Sequence, residues 1–476
     1  MAYLEVTFMV TLQFLGAARN VTGSCYLIKT DKSSVLVDCG LYQEREFRHR
    51  NWDPFPFDPR QIDGVVLTHA HLDHCGLIPR LSAAGFDSPI YGTPATCDIA
   101  KIVLMDSAHI QEYDAEQKRR RHEKEGRKGP FEEKPLYTVA EVEETLALFQ
   151  TVSYREPVEI APGIRASFFE AGHILGSTMI RLDISDDSGN ISIIFSGDIG
   201  RFNKPILKDP TRFNQADYVV MESTYGDRIH EDPKDLDSML EEQINRTVSE
   251  EGNVVIPSFA IERTQELLYR LNHLFFNDRI PHLMTFVDSP MAIKVTEVFK
   301  DHTDLYDREM KALVEEDRSP FSFPNLKPTV SVAESKSINH VRGTAIIIAG
   351  SGMCTGGRIK HHLIHNITDP GSTILFIGYQ ARGTLGRHIT EGEKEVRILG
   401  EKRKVRAHIV QVHGFSAHAD QQELLAWIGA VKQKPETVFI THGEEEASRT
   451  LSEKLYKELS IGTAVPEYGE EVKLLG

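Results

Sequence analysis

The stretch Thr68-His69-Ala-His71-Leu-Asp73-His74 puts three histidines and one aspartate into six residues, directly after an apolar run that ends at Leu67. A helix does not explain this spacing, because residues 69 and 71 of a helix would face different sides. At the end of a strand the two can share one side, and a following turn can carry Asp73 and His74 round to a second position. Imidazole nitrogen and carboxylate oxygen are the ligand types that borderline zinc takes in catalytic sites, where an open position holds water. The plain alternative is a solvated histidine cluster. Against it stand further candidates downstream: His173 in Glu170-Ala-Gly-His-Ile-Leu-Gly, Asp198 in Phe195-Ser-Gly-Asp-Ile-Gly, and His442 in Ile440-Thr-His-Gly. Taken singly, each reads as a polar turn or core residue. Taken with the first motif, they read as ligands.

The first half of the chain is written as short apolar runs that end in a polar residue, as in Val35-Leu-Val-Asp38, Ile191-Ser-Ile-Ile-Phe-Ser-Gly-Asp198 and Tyr218-Val-Val-Met-Glu222. A strand fixes the backbone and the loop behind it exposes a side chain, so such positions suit chemistry. From about Asp227 the rhythm becomes strand–helix alternation. Val254-Val-Ile-Pro257 leads into a helix from Ile261 with apolar residues three and four apart, and Leu283–Asp288, Ala345–Ala349 and Thr373–Gly378 read as buried strands of a mainly parallel sheet. After Lys404 the first style returns. One domain interrupted by another accounts for this, with limits at 1–226, 227–404 and 405–476.

No apolar run reaches the roughly 18 residues a membrane span needs, and Met1–Val10 reads as a strand rather than a signal peptide, with Met9 an alternative start. Five cysteines, without CxxC spacing, fit buried thiols in a reducing cytoplasm. The net charge of −16 argues against a surface coated for polyanions but leaves room for a local basic groove. The charged stretch Gln111–Lys134, which includes Lys118-Arg-Arg-Arg121, reads as a solvated helix or loop, the alternative being a flap that touches a polyanion.

These motifs resemble the metallo-β-lactamase superfamily. The resemblance implies a four-layer αββα sandwich with one zinc on His69, His71 and His173, a second on Asp73, His74 and His442, and Asp198 bridging them. It gives Asp38 a supporting role behind the metal-binding loop. Three further stretches, Val220-Met-Glu222-Ser-Thr-Tyr-Gly226, Val412-His-Gly-Phe-Ser-Ala-His418-Ala-Asp420 and Thr441-His442-Gly-Glu, are similar to the motifs of the β-CASP group, nucleases acting on RNA and in some branches DNA. The inserted domain is then a doubly wound parallel-sheet β-CASP domain. Gly350-Ser-Gly-Met-Cys-Thr-Gly-Gly-Arg358 and Gly378-Tyr-Gln-Ala-Arg-Gly-Thr-Leu-Gly-Arg387 look like its RNA-processing branch, nearest to bacterial homologues of the cleavage and polyadenylation endonuclease subunit.

Glycine-rich loops let backbone N–H groups approach phosphate, and arginine adds a two-pronged donor. Ser351, Gly352, Thr355, Arg358, Arg382 and Arg387 on these loops, with Ser416 in the stretch before His418, are the candidate RNA contacts. The resemblance implies hydrolysis of single-stranded RNA to 5′-phosphate and 3′-hydroxyl ends, with Asp73, Glu222 and His418 as catalytic residues, His418 as general acid oriented by Glu222, and two Zn²⁺ per chain, Mn²⁺ being an alternative ion. Endonuclease action is the first reading and 5′-to-3′ exonuclease action the second. A small-molecule hydrolase of thioesterase or lactamase type, or a non-catalytic RNA-binding subunit, are the competing functions. A cytoplasmic protein without membrane partners is expected, and a homodimer is compatible with the sequence.

Overall fold

The computed structural model describes residues 9–128, 133–186, 189–230, 235–316 and 318–475. Met1–Phe8, the start of the expected N-terminal strand, and residues 129–132 of the charged stretch lie outside them. The chain divides into two compact units, one made of Met1–Asn203, Asp209–Ile229 and His418–Gly476, the other of Lys204–Lys208 and His230–Ala417.

In the first unit, two seven-stranded sheets face each other. Their strands show why the sequence folds this way. Successive side chains of a strand point to opposite faces. Ile191, Ile193 and Phe195 join Ile180, Leu182 and Ile184 of the antiparallel neighbour in the core between the sheets. The intervening Ile194, with Met179, Val219 and Met221, packs outward under Leu424, Trp427, Leu451 and Leu455, which belong to the helices Gln421–Gly429 and Glu445–Leu459. A sheet apolar on both faces has to be covered on both, which gives a layer of helix outside the sandwich. Helices Ile78–Ala83 and Pro94–Glu125 accompany the other sheet. Lys118–Arg121 are exposed in the last turns of that long helix, while His122 is buried there.

The second unit holds a six-stranded sheet, parallel throughout, in the order Leu326–Pro328, Met284–Asp288, Ala345–Ala349, Val254–Pro257, Thr373–Phe376, His408–Gln411. From Val254 the chain first runs toward one edge and then back toward the other. Because crossovers between parallel strands are right-handed as a rule, this reversal of direction puts helices on both faces, the doubly wound arrangement. Among the described residues no helix is long and apolar enough to cross a membrane.

Candidate metal centre

The apolar strand Gly64–Val66 is paired on both sides and fixes the start of the motif. His69 and His71 follow in the loop, and a single helical turn, Leu72–Cys75, brings Asp73 and His74 back toward the same place. Backbone must pass very close here. A Cβ on Gly40 would lie 1.7 Å from the Asp73 carbonyl oxygen, and one on Gly200 would lie 1.8 Å from that of Gly172 beside His173. Only glycine lets the neighbouring loops press the segments that carry these candidate ligands into position.

Two clusters result. In the first, His69 Nε2 lies 3.1 Å from His71 Nδ1, and His173 Nε2 lies 3.2 Å from the same atom. Asp198 Oδ2 stands 3.3 Å from both His69 Nε2 and His173 Nε2. In the second, His74 Nε2 and His442 Nε2 are 3.2 Å apart, and Asp73 Oδ2 lies 3.6 Å from His442 Nε2. Asp198 turns its other oxygen here: Oδ1 is 3.2 Å from His74 Nε2 and 3.5 Å from His442 Nε2.

The donor sets suit a metal. Atoms bound at about 2.0–2.1 Å around a tetrahedral zinc stand about 3.3 Å from one another, which is the spacing found. Three ring nitrogens and a carboxylate oxygen converging on one point cannot all satisfy each other with hydrogen bonds. Asp198 Oδ1 is buried and without a hydrogen-bond partner among the described residues.

Burial pushes the pKa of His69 down to about 3 and that of His71 to about 4, and holds His173 well below the usual value. These rings are neutral and offer lone pairs. At His74 and His442 burial acts the same way, but Asp198 with Asp38 or Asp73 outweighs it, raising both, His442 to about 9. Asp198 is held well below the carboxylate range because its ring of histidines overcomes its desolvation.

Behind the donors sits a shell of orienting hydrogen bonds. Asp38 Oδ2 lies 2.7 Å from His74 Nδ1, so Nε2 faces inward. Asp38 is itself held by Thr68, whose N–H and hydroxyl donate to its two oxygens at 2.8 and 2.7 Å. Thr224 Oγ1 lies 3.1 Å from His442 Nδ1 and plays the matching part for the second cluster. The motif spacing marks neither threonine as functional, though both adjoin motif residues; a hydroxyl next to a ligand or acid is the available signal.

His418 and Glu222 lie at the edge of this centre. His418 Nδ1 is 3.2 Å from Glu222 Oε1 and 3.9 Å from Asp198 Oδ2, and its ring centroid is 4.5 Å from that of His173. The Ile199 N–H donates to Glu222 Oε1 at 2.6 Å, which fixes the carboxylate. Burial opposes a charge on His418, but Glu222 and Asp198 outweigh it and raise its pKa.

The candidate RNA contacts fare differently from one another. Arg382 and Thr355 are exposed. Ser351 Oγ accepts from the N–H groups of Thr355 and Gly356 and so braces its own loop. Arg387, in the helix Leu385–Thr390, reaches Glu391 just past its end at 2.7 Å, and Gly352 is buried. Ser416, half-buried, lies two residues before His418. Arg358 is committed internally: its guanidinium donates to Asp288 Oδ1 at 2.7 Å and to the carbonyls of Thr329 and Val330.

Asp288, fully buried, also takes His362 Nε2 at 2.6 Å and the hydroxyls of Thr329 and Ser335 at 2.8 and 2.6 Å. Its desolvation is outweighed by these partners, His362 first, so its pKa is depressed. Asp288→Ala leaves Arg358 and His362 without their anion and is expected to cost about 3–5 kcal/mol in urea unfolding. Because the folded pKa is depressed, this contribution is present above about pH 4 and lost as pH falls below it. A loss under about 1 kcal/mol at neutral pH would show that the network is incidental.

Residues 18–235 match the metallo-beta-lactamase superfamily, 264–389 the Beta-Casp domain and 402–466 the Zn-dependent metallo-hydrolase RNA specificity domain. The chain is 36% identical over 459 residues to Ribonuclease TTHA0252 of Thermus thermophilus, covering 96% of each. It is 33% identical over 481 residues to Transcription termination factor FttA of Methanosarcina mazei, covering 98% of this chain and 72% of that one. A solved protein of unknown function from Enterococcus faecalis shares the fold, with TM-score 0.54 and 12% identity over 98% of this chain and 100% of that one.

Proposed function

The chain belongs to the β-CASP group of the metallo-β-lactamase superfamily, and on that premise we propose that it is a zinc-dependent ribonuclease that hydrolyses single-stranded RNA, with endonuclease action the first reading and 5′-to-3′ exonuclease action the second. The observation that carries this reading is one carboxylate, Asp198, turning one oxygen to each of two histidine clusters, with His418 and its carboxylate partner alongside. The expected metal content is two zinc ions, His69, His71 and His173 holding one, Asp73, His74 and His442 the other, and Asp198 both.

Ions held there would supply a water of lowered pKa and offset charge on phosphoryl oxygens. The chain's own residues do the rest. Asp38 and Thr224 set the ring orientation of His74 and His442, so the donor atoms are in place before substrate arrives. Glu222 holds His418 through Nδ1, and the ring delivers a proton to the departing 3′-oxygen as the P–O bond breaks. Water adds at phosphorus, leaving a 5′-phosphate on one product and a 3′-hydroxyl on the other.

End-labelled substrates test the cleavage mode and the chemistry together. RNA labelled separately at its 5′ and 3′ ends is expected to yield internal fragments whose new 5′ ends accept no further phosphate until a phosphatase removes the one already there. Ladder-free release of mononucleotides from the 5′ end would favour the exonuclease mode. Hydrolysis of a chromogenic lactam or a thioester, with intact RNA, would replace the reading with that of a small-molecule hydrolase.

A further inference from the structure

At the end of the buried strand Val254–Pro257 the chain presents an aromatic ring to solvent. Phe259 is 36% exposed, unlike the fully buried phenylalanines of the cores. Its backbone is pinned, since its carbonyl accepts from the hydroxyls of Thr264 at 2.7 Å and Ser258 at 3.1 Å. Its ring is pinned as well. A Cβ on Gly352 would lie 2.6 Å from Phe259 Cδ2 and 2.7 Å from Cε2, and one on Gly378 would lie 3.1 Å from Cε2. Neither glycine has a left-handed backbone, so turn geometry is not the reason for glycine at either position. The reason is room for the Cδ2–Cε2 edge of this ring.

The two glycines are tied into one support. The buried Gln380 side chain donates from Nε2 to the Gly352 carbonyl at 2.9 Å and the Gly378 carbonyl at 3.0 Å. Gly386 N–H donates to the Met353 carbonyl at 3.2 Å, and a Cβ on Gly386 would strike Gln380 Oε1 at 1.7 Å. Two loops are thus clamped by one amide around one edge of a phenyl ring. An apolar side chain that were merely left over at the surface would need no such support. The two loops that carry these glycines also carry Tyr379, 50% exposed, and the exposed Arg382 and Thr355.

We infer that Phe259 is a stacking platform for an unpaired nucleobase. A flat, pinned ring of a side chain about a third exposed suits a partner with a π-face, and exposed arginine on one of the two supporting loops suits the strand's phosphate. Stacking tolerates any base, since every base has a π-face, so the platform grips the strand without choosing its sequence. The inference rests on the ribonuclease reading, whose substrate it describes more closely.

The test compares two probes of equal length, single-stranded oligo(A) RNA and an abasic ribose-phosphate strand, binding to the full metal-loaded chain. His418→Ala is used as the background so that the probes stay intact, and anisotropy reads the affinity. Phe259→Ala is expected to weaken oligo(A) binding roughly ten-fold while the abasic strand is unaffected. Phe259→Leu, which keeps the apolar plug, is expected to behave like alanine, and Phe259→Trp to retain the preference for bases. Equal weakening of both probes, or none, overturns the platform. A background protein that binds neither probe overturns the RNA reading and takes the platform with it. Rapid cutting of oligo(A) by the His418→Ala background removes His418 as the proton donor; binding to Phe259 is then read with a strand carrying non-hydrolysable linkages, where the same ten-fold difference is required.

Discussion

Asp198→Ala is expected to lower bound metal from about two ions per chain to below one and to reduce RNA cleavage by at least about ten-thousand-fold, equivalent to roughly 5.5 kcal/mol of transition-state free energy. The size follows from position. Loss of Asp73 would disturb a single cluster; Asp198 serves both, with Oδ2 on His69 and His173 and Oδ1 on His74 and His442. It is also the anion that offsets the cationic tendency of His74 and His442. Metal analysis and cleavage assays on the same sample check the expectation, with circular dichroism as the folding control. A folded variant that keeps both ions would dismantle the bridging assignment. His71→Ala is the useful comparison, because it touches only the first cluster.

His418→Ala is expected to lower cleavage by about 10²–10⁴-fold, the range for loss of a positioned proton donor, with metal content unchanged. The geometry makes this a real choice between two roles. Asp198, Glu222 and His418 themselves offer three donor atoms within 4.8 Å of one another, so a metal could sit there too. If His418 donates a proton, its removal leaves both clusters filled and slows only the chemical step, and Glu222→Gln does the same more mildly by loosening the ring. If His418 is a ligand, metal and activity fall together, and the proton has to come from elsewhere.

Much of this centre is legible in the order of residues alone. His69, His71, Asp73 and His74 lie within one short segment, and strand-end geometry is local, so spacing restricts their use. The near-continuous apolar runs Ile191–Phe195 and Tyr218–Met221 mark buried strands, and their side chains reach the cores on both faces of the sheet; the sandwich itself was implied by the resemblance. The parallel sheet of the second unit is equally visible in its uninterrupted apolar runs. Arg358 is harder. In the sequence it ends a glycine-rich loop and looks available to phosphate; in the fold its charge is taken by Asp288, seventy positions earlier. Phe259 gives no signal either, because Ser-Phe-Ala after a strand is unremarkable until Gly352 and Gly378 are found against its ring.

By itself, then, the sequence determined the kinds of donor atom, their grouping at strand ends, and the interruption of one domain by another, since all of these are written in residue type and short-range period. Only the tertiary structure decided how the atoms are shared: which oxygen of Asp198 faces which cluster, that Thr68 holds Asp38 behind His74 and Thr224 stands behind His442, and that Arg358 is turned inward. Those outcomes depend on contacts between residues tens to hundreds of positions apart. Such contacts are set by packing and by the need of buried polar groups for partners, and no local pattern encodes them.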